Sequence, residues 1–278
     1  FMTKFSVAGN SVVYSTYLGG AGDDRVFDMA VADDAAVFVV GSSTSANFPT
    51  TSASVQPALG GGRDGFLTHF SLAGNALLYS TFIGGSGTDE VFGMIIDAPM
   101  NAYLTGRTTS PNFPRMTPAQ LIYGGGANDA FVAKVNPPGT ALVYSTYLGG
   151  AGDDQGQGIA IDGARNAFVT GSTTSANFPL QAPLQASLSG PSDAFVSKLN
   201  LSGIALIYST YLGGATADEG FGIGVDLVGS AYVAGFTESD NFPRVNAFQA
   251  AFGGVRDAFV SKLAETNDAD FIFANGFE

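Results

Sequence analysis

The chain has 278 residues, with 11 lysine and arginine residues against 24 aspartate and glutamate residues, and its formal net charge is -13. Nucleic-acid binding rests mainly on basic side chains that neutralise phosphates, so this balance argues against nucleic acid as a partner. The longest apolar stretches, such as residues 35–40, are far shorter than the ~20 residues that cross a bilayer, which argues against membrane insertion. The chain contains no cysteine, which removes disulfides and thiolate metal sites.

Three short sequence phrases return along the chain at a nearly fixed interval. The phrase Tyr-Ser-Thr-(Tyr/Phe)-(Leu/Ile)-Gly-Gly begins at Tyr14, Tyr79, Tyr144 and Tyr208, with spacings of 65, 65 and 64 residues. The phrase Asn-Phe-Pro keeps the same spacings and begins at Asn47, Asn112, Asn177 and Asn241. An aspartate precedes an apolar segment in every copy, at Asp64, Asp129, Asp193 and Asp257. A period of this length is typical of repeat architectures.

Each copy contains four short segments that are rich in Val, Ile, Phe, Tyr and Thr and bounded by Gly, Asn, Asp or Pro, as β-strands are. In the third copy the predicted strands are residues 158–162, 167–173, 194–199 and 205–212. Gly203 lies between the last two, where a tight hairpin needs a positive φ. No segment has helical periodicity or helix caps, so the sequence predicts an all-β chain.

The pattern of the fourth strand indicates how these sheets pack. Residues 142–148 carry large apolar groups on both alternating faces, which predicts a sheet covered on both sides. Propeller blades pack face to face and give this pattern. The sequence therefore predicts a β-propeller of four-stranded antiparallel blades with about 65 residues per repeat. The glycine-rich first strand, such as residues 156–160, is predicted to be innermost, where neighbouring strands crowd together.

Five segments of the third copy, residues 144–154, 158–162, 167–171, 177–179 and 193–199, closely resemble one repeat family. They are similar to the SBBP (seven-bladed beta-propeller type) repeat of bacterial extracellular proteins, and the similarity extends from Phe1 to about Leu263. The resemblance implies a propeller fold and secretion or display at the cell surface. It implies no defined catalytic chemistry.

The repeats begin and end within a unit. Residues 1–5 align with residues 131–135, and the repeats close on residues 259–263, the same segment. The chain thus holds four repeats plus one surplus strand, which is either part of a larger propeller, the interpretation we favour, or a small four-bladed ring. The predicted domains are residues 1–264 for the repeats and 265–278 for a C-terminal tail, interpreted as a sorting segment or an extra edge strand.

An acidic slot recurs in every copy and follows a Gly-Gly-x-Gly-x phrase in the first three, whereas the fourth copy has Thr216 in place of the third glycine. Its members are calcium candidates because the phrase matches calcium-binding repeats: Asp24, Asp89, Asp154 and Asp218. Two observations oppose this interpretation. Such repeats recur every nine residues rather than every 64 or 65, and calcium needs six to eight oxygen ligands. The favoured alternative is that each carboxylate accepts hydrogen bonds from N–H groups of its own turn.

Two further slots are given structural roles. The single histidine, His69, takes the place held by Lys4, Lys134, Lys198 and Lys262, so no catalytic role is predicted for it. The lysines of this slot are predicted to pack their stems while the ammonium stays in solvent. The Asn-Phe-Pro phrase is predicted to fix the long loop between the second and third strands, beside the acidic turn.

The sequence predicts a non-catalytic secreted or cell-surface scaffold or binding module, which presents loops on one face to an unknown protein or carbohydrate ligand. No cofactor is expected, with calcium the only one considered. One alternative is a polysaccharide hydrolase or lyase that uses the acidic loop residues, and another is a calcium-stabilised adhesin. Catalysis is disfavoured because catalytic carboxylate pairs are defined single positions, whereas these aspartates recur in every copy.

Overall fold

A computed structural model describes residues 1–32 and 34–264, which contain 17 β-strands and no helix. Within these residues there is accordingly no helix that could span a membrane. The C-terminal tail predicted for residues 265–278 lies outside the described residues. The prediction of an all-β chain is confirmed.

The strands form five sheets. Sheet 1 holds β1 (Met2–Phe5) and β2 (Val12–Thr16), and sheet 2 holds β3 (Asp24–Val31), β4 (Val37–Ser43), β5 (Asp64–Phe70) and β6 (Leu77–Ile83). Sheet 3 holds β7 (Asp89–Ile96), β8 (Ala102–Thr108), β9 (Asp129–Val135) and β10 (Leu142–Leu148). Sheet 4 holds β11 (Asp154–Ile161), β12 (Ala167–Thr173), β13 (Asp193–Leu199) and β14 (Leu206–Leu212). Sheet 5 holds β15 (Asp218–Val225), β16 (Ala231–Thr237) and β17 (Asp257–Leu263).

Each complete sheet is an antiparallel meander in which strands follow one another in chain order. The first strand of each starts earlier than predicted. In sheet 4 it begins at Asp154 rather than at Gly158, because Asp154 already pairs with Thr173 on the next strand. The calcium candidates therefore stand at strand starts and not inside loops.

The first strand of every repeat contains a β-bulge. Its register shifts between Gly156 and Gly158, so that Gln157 is left out of the ladder with β12. The same shift leaves out Phe27, Phe92 and Phe221 in the other repeats. A bulge inserts one extra residue and re-aims its side chain.

Neighbouring sheets stack face to face, as the two-sided apolar pattern predicted. Tyr144 of β10 is fully buried in a cluster that joins sheets 3 and 4 and includes Tyr103 and Val169. A Cβ atom added at Gly203, in the hairpin of sheet 4, would overlap the Tyr144 ring. Gly203 has a φ of 70°, so the hairpin turn and the close approach both require glycine at this position.

The glycine-rich first strands lie where successive sheets meet, as predicted. β3 contacts β7, β7 contacts β11, and β11 contacts β15. A Cβ atom added at Gly93 would lie 2.7 Å from the Gln157 carbonyl oxygen, and one at Gly158 would lie 2.7 Å from that of Phe221. We call the side of the stack where these first strands meet its inner edge.

The stack of sheets is not closed within the described residues. Val260 on β17 is 78% exposed, whereas the equivalent Val132 and Val196 are completely buried under the next sheet. A Cβ atom added at Gly222 on β15 would likewise meet nothing within 4 Å. The architecture is consistent with a β-propeller, and the described residues form an open arc of it.

The prediction that the lysine slot leaves its ammonium in solvent is wrong for the interior sheets. Lys134 and Lys198 are both buried, because the next sheet covers this position. The Lys198 ammonium lies 3.2 Å from Asp162 and 4.6 Å from the centre of the Phe168 ring. His69 fills the same slot by stacking on Phe38 with 3.9 Å between ring centres, which accords with a structural role.

Candidate functional site

The repeated acidic slot is a hydrogen-bonded cage. Oδ2 of Asp154 accepts hydrogen bonds from the Gly150 N–H at 2.7 Å and from the Ser175 hydroxyl at 2.8 Å, and Oδ1 accepts one from the Thr173 hydroxyl. Equivalent sets of three donors surround Asp24 and Asp89. Asp218 keeps the two donors to Oδ2, while its Oδ1 is buried without a hydrogen-bond partner. Asp24 is partly exposed at one end of the stack, whereas Asp89, Asp154 and Asp218 are completely buried.

The asparagine of the Asn-Phe-Pro phrase completes this cage. Oδ1 of Asn177 accepts a hydrogen bond from the Ala151 N–H at 2.8 Å, and the Ser175 hydroxyl accepts one from the Gly152 N–H at 2.7 Å. The same asparagine contact occurs in the other three repeats, through Asn47, Asn112 and Asn241. The two loops are neighbours, as predicted. Sequence reasoning assigned no contact to this asparagine or serine, although both recur at fixed spacing.

The aspartates at the starts of the third strands approach the cage aspartates from the neighbouring sheet. Asp129 accepts a hydrogen bond from the Gly124 N–H at 2.6 Å, while its Oδ1 is buried without a hydrogen-bond partner. A Cβ atom added at Gly149 would lie 2.9 Å from Oδ1 of Asp129 and 2.8 Å from Oδ2 of Asp154. The two carboxylates therefore converge on one small space between sheets 3 and 4.

The carboxylate of Asp154 already has hydrogen-bond donors on both oxygens. Calcium takes six to eight oxygen ligands, whereas the oxygens of Asp154 already accept hydrogen bonds from N–H and O–H donors. No group of three or more acidic or histidine side chains placed to hold a metal occurs in residues 1–32 and 34–264. The structure brings the calcium candidates to equivalent cages, one per repeat, and does not bring them to a common site.

Burial shifts the pKa of these carboxyl groups upward. Desolvation, with a smaller contribution from the Asp154 charge, raises the pKa of Asp129 to about 7. Burial likewise raises the pKa of Asp64 and of Asp154 to about 6, against the hydrogen bonds that lower it. Because the charged form is disfavoured, the buried pair in sheets 3 and 4 is most stable when it carries a proton.

We expect the chain to be more stable at about pH 5 than at about pH 7.5, as measured by thermal unfolding. The folded pKa of Asp129 lies above its usual value of 3.8, so the folded state binds this proton more tightly, and stability is lost as pH rises through about 7. Asp129→Asn keeps an acceptor for Gly124 and removes the charge, so it should raise the melting temperature at the higher pH and flatten the profile. Asp226→Asn is the control, because the pKa of Asp226 is lowered by hydrogen bonds. A wild-type profile that rises with pH over this range would contradict the prediction.

The bulged residues form an exposed row along the inner edge. Phe27 and Phe221 are 41% and 50% exposed, and Phe92 and Gln157 are partly exposed. The Phe27 and Phe92 rings contact each other edge to face with 5.3 Å between centres. Exposed aromatic groups arise here because the bulge removes these residues from the ladder. We define the inner-edge surface as these four residues and the polar side chains beside them.

Charged side chains flank the row in sheets 2 and 3. Arg63 lies 2.8 Å from Asp23 and donates a hydrogen bond to the Ser42 hydroxyl at 3.0 Å. Arg107 lies 2.6 Å from Glu90, and its guanidinium is 5.5 Å from the centre of the Phe92 ring. These ion pairs fix the orientation of the arginines beside the exposed rings.

The same positions carry other residues in sheets 4 and 5. Gln157 donates a hydrogen bond to Glu219 at 3.2 Å, and burial raises the pKa of Glu219. Arg256 pairs with Glu238 at 2.5 Å and lies 3.9 Å above the Phe236 ring, which in turn contacts Phe221. The inner-edge surface thus runs through all four repeats with a different composition in each.

Sequence reasoning missed this surface, although a signal for it exists. The positions that repeat with little change make the cages, whereas two slots beside the bulged row change residue type between copies. One slot reads Arg25, Glu90, Gln155 and Glu219, and another reads Ser42, Arg107, Ser172 and Phe236. A repeat can vary a position freely where it does not hold the fold, so comparison of the copies points to this edge.

The antiparallel sheets, their glycine-rich inner strands and the repeated cages define a repeat protein of propeller type. The model of the SBBP beta-propeller repeat family matches residues 143–179 and 207–243. The resemblance noted in the sequence is therefore confirmed for these two segments, which match the SBBP beta-propeller repeat. Each match runs from the fourth strand of one sheet to the Asn-Phe-Pro phrase of the next. No curated protein matches the chain.

Proposed function

We propose that this chain is a non-catalytic binding module, secreted or displayed at the cell surface, whose inner-edge surface binds a neutral polysaccharide. The observation that carries the proposal is the row of bulged residues at one edge, in which Phe27 and Phe221 are exposed, Phe92 and Gln157 are partly exposed, and charged groups lie alongside. The location is proposed from the resemblance to repeats of bacterial extracellular proteins.

The chemistry of the row favours a carbohydrate. Aromatic rings give large rigid contact areas, and the C–H faces of sugar rings pack on such surfaces. Gln157 and Glu219, which are partly exposed, supply hydrogen-bond donors and acceptors for hydroxyl groups beside the rings. The row crosses all four repeats, which suits an extended polymer more than a compact ligand.

Charge restricts the type of polymer. The formal net charge of the chain is -13, so an anionic polysaccharide would be repelled at long range. The arginines of the surface do not reverse this, because Arg63 and Arg107 are already paired with acidic side chains. A neutral polymer meets neither obstacle.

A binding role is favoured over hydrolysis because of where the repeated carboxylates lie. Asp64, Asp129 and Asp193 are completely buried, as are Asp89, Asp154 and Asp218. A glycosidase needs two carboxyl groups that reach the scissile bond in a cleft, whereas these six groups hold loops in place.

The proposal is tested by measuring binding to soluble β-glucan, dextran and alginate with affinity electrophoresis and calorimetry. We expect at least one neutral polymer to bind, and Phe92→Ala to weaken that binding about tenfold or more, as loss of an interface aromatic anchor does. Phe248→Ala removes a fully exposed ring away from the inner edge and should leave binding unchanged. Binding of alginate alone, equal loss in both variants, or release of reducing sugar from any polymer would contradict the proposal.

A further inference from the structure

The last described strand of the stack, β17, has one edge with no partner among the described strands, and its own sequence indicates which strand that edge would accept. Among the described residues β17 pairs with β16 and with no other strand. β17 has the sequence Asp-Ala-Phe-Val-Ser-Lys-Leu, identical to that of β13. In sheet 4 the equivalent edge of β13 pairs with β14 along most of its length, from Ala194 opposite Leu212 to Leu199 opposite Leu206. The chain thus contains its own template for what the β17 edge accepts.

A groove of about 390 Å³ lies beside this edge, lined by residues that include Phe242, Gln249, Phe259 and Ser261. Their equivalents in sheet 4 all bind β14. The Tyr211 hydroxyl donates to the Ser175 carbonyl at 2.6 Å and accepts from the Phe178 N–H at 3.3 Å. The Gln185 N–H donates to the Thr210 hydroxyl at 2.8 Å, and the Ser197 and Ser209 hydroxyls are 2.8 Å apart. The groove therefore has places for Tyr, Thr and Ser in one fixed order.

The strand with this order and the most exposed side chains is β2, at the other end of the stack. Residues 14–18 and 208–212 have the same sequence, Tyr-Ser-Thr-Tyr-Leu. Tyr17 is 93% exposed, whereas the equivalent Tyr211 is completely buried in sheet 4. Among the strands that the structure describes, β2 pairs only with β1 in a two-stranded sheet, and such sheets are marginally stable without further strands.

We propose that β17 of one copy pairs with β2 of a second copy of this chain, in place of β1. The Tyr14 ring packs on Gly74 of its own chain through the face of the sheet, so β2 keeps that contact when its edge partner changes. The exchange converts a two-stranded and a three-stranded sheet into one four-stranded sheet. Unpaired strand edges are the usual sites of such additions.

A second copy is favoured over closure within one chain. Three complete sheets separate β2 from β17, and the stack of described residues is open. Each copy offers one β2 and one β17, so the same contact is available twice in a head-to-tail pair. A repeated heterologous contact of this kind either closes the copies into a ring or extends them into an open filament.

Engineered disulfides test the register, because the chain has no cysteine of its own. By analogy with Ser209 opposite Ser197, Ser15 should face Ser261. Ser15→Cys and Ser261→Cys chains of different mass, mixed and mildly oxidised, should give a covalent heterodimer. The matched control replaces Ser261→Cys by Val260→Cys, whose side chain points to the other face, and should give roughly tenfold less product because disulfide geometry is strict.

The cross-link should also respond to a competitor. A synthetic peptide of residues 205–214 carries the β14 sequence and should lower the heterodimer yield in proportion to its concentration. Size-exclusion chromatography of the unaltered chain should show a dimer that dissociates on dilution. Absence of the cross-link in the full chain, including the case in which residues 265–278 occupy the edge, would overturn the proposal. So would a disulfide formed within one monomer that carries both cysteines.

Discussion

Tyr144→Ala should lower the free energy of unfolding by about 3 to 5 kcal/mol, the range for removing a large buried side chain and leaving a cavity. The ring is completely buried between sheets 3 and 4 and lies 6.4 Å from the Tyr103 ring, centre to centre. The ring also packs on Gly203 in the hairpin of sheet 4. That hairpin would have to change its conformation before sheet 4 could move into the cavity left by the ring. Urea unfolding monitored by circular dichroism measures the change.

Two variants serve as controls for this prediction. Tyr144→Phe should have little effect, because the Tyr144 hydroxyl is buried without a hydrogen-bond partner. Tyr17→Ala removes a tyrosine that is 93% exposed and should cost less than about 1 kcal/mol in dilute solution, as surface changes do. A loss below about 1 kcal/mol for Tyr144→Ala would show that the sheets do not pack as described.

Gly171→Ala should destabilise the chain by about 3 kcal/mol, the upper end for overpacking a tight interior. Gly171 lies on β12 opposite the bulge of β11, and a Cβ atom there would overlap the carbonyl oxygen of Gln155. The obstacle is backbone, which no side-chain rotation can relieve. The same clash exists at Gly41, Gly106 and Gly235, so each repeat requires glycine opposite its bulge.

Gly163→Ala is the matched control for Gly171→Ala. Gly163 lies in the turn between β11 and β12, and a Cβ atom there meets nothing within 4 Å. Its alanine variant should unfold within about 0.5 kcal/mol of the wild type, as exposed substitutions do. Equal destabilisation by both variants would mean that the bulge does not approach Gly171.

The repeated positions made most of the fold predictable, because the same residues pack in the same way in each repeat. Residues such as Tyr144 and Gly203 recur wherever one sheet packs on the next. Their spacing along the chain therefore predicts both the strands of a sheet and the packing of that sheet on its neighbour. The exact start of each first strand was less predictable. Asp154 has turn character by residue type, and only its pairing with Thr173 places it on β11.

The candidate site was predictable only in part, for a different physical reason. The acidic slot was visible, and its interpretation as a hydrogen-bonded turn agrees with the contacts of Asp154. The inner-edge surface was missed, because a β-bulge is a shift in register that the alternation of apolar and polar residues along a strand does not show. Phe92 reads as a core residue in the sequence, and the bulge turns it outward.

The sequence by itself determined that this protein is an all-β repeat with both sheet faces covered, since hydrophobic alternation and turn residues act locally and recur in each copy. Only the tertiary structure decided that the lysine slot is buried in the interior sheets, that Phe27 and Phe221 are exposed and Phe92 partly so, and that one edge of β17 has no partner among the described strands. These properties depend on which sheets are neighbours. The residues in contact are far apart in the sequence, so no local sequence pattern predicts them.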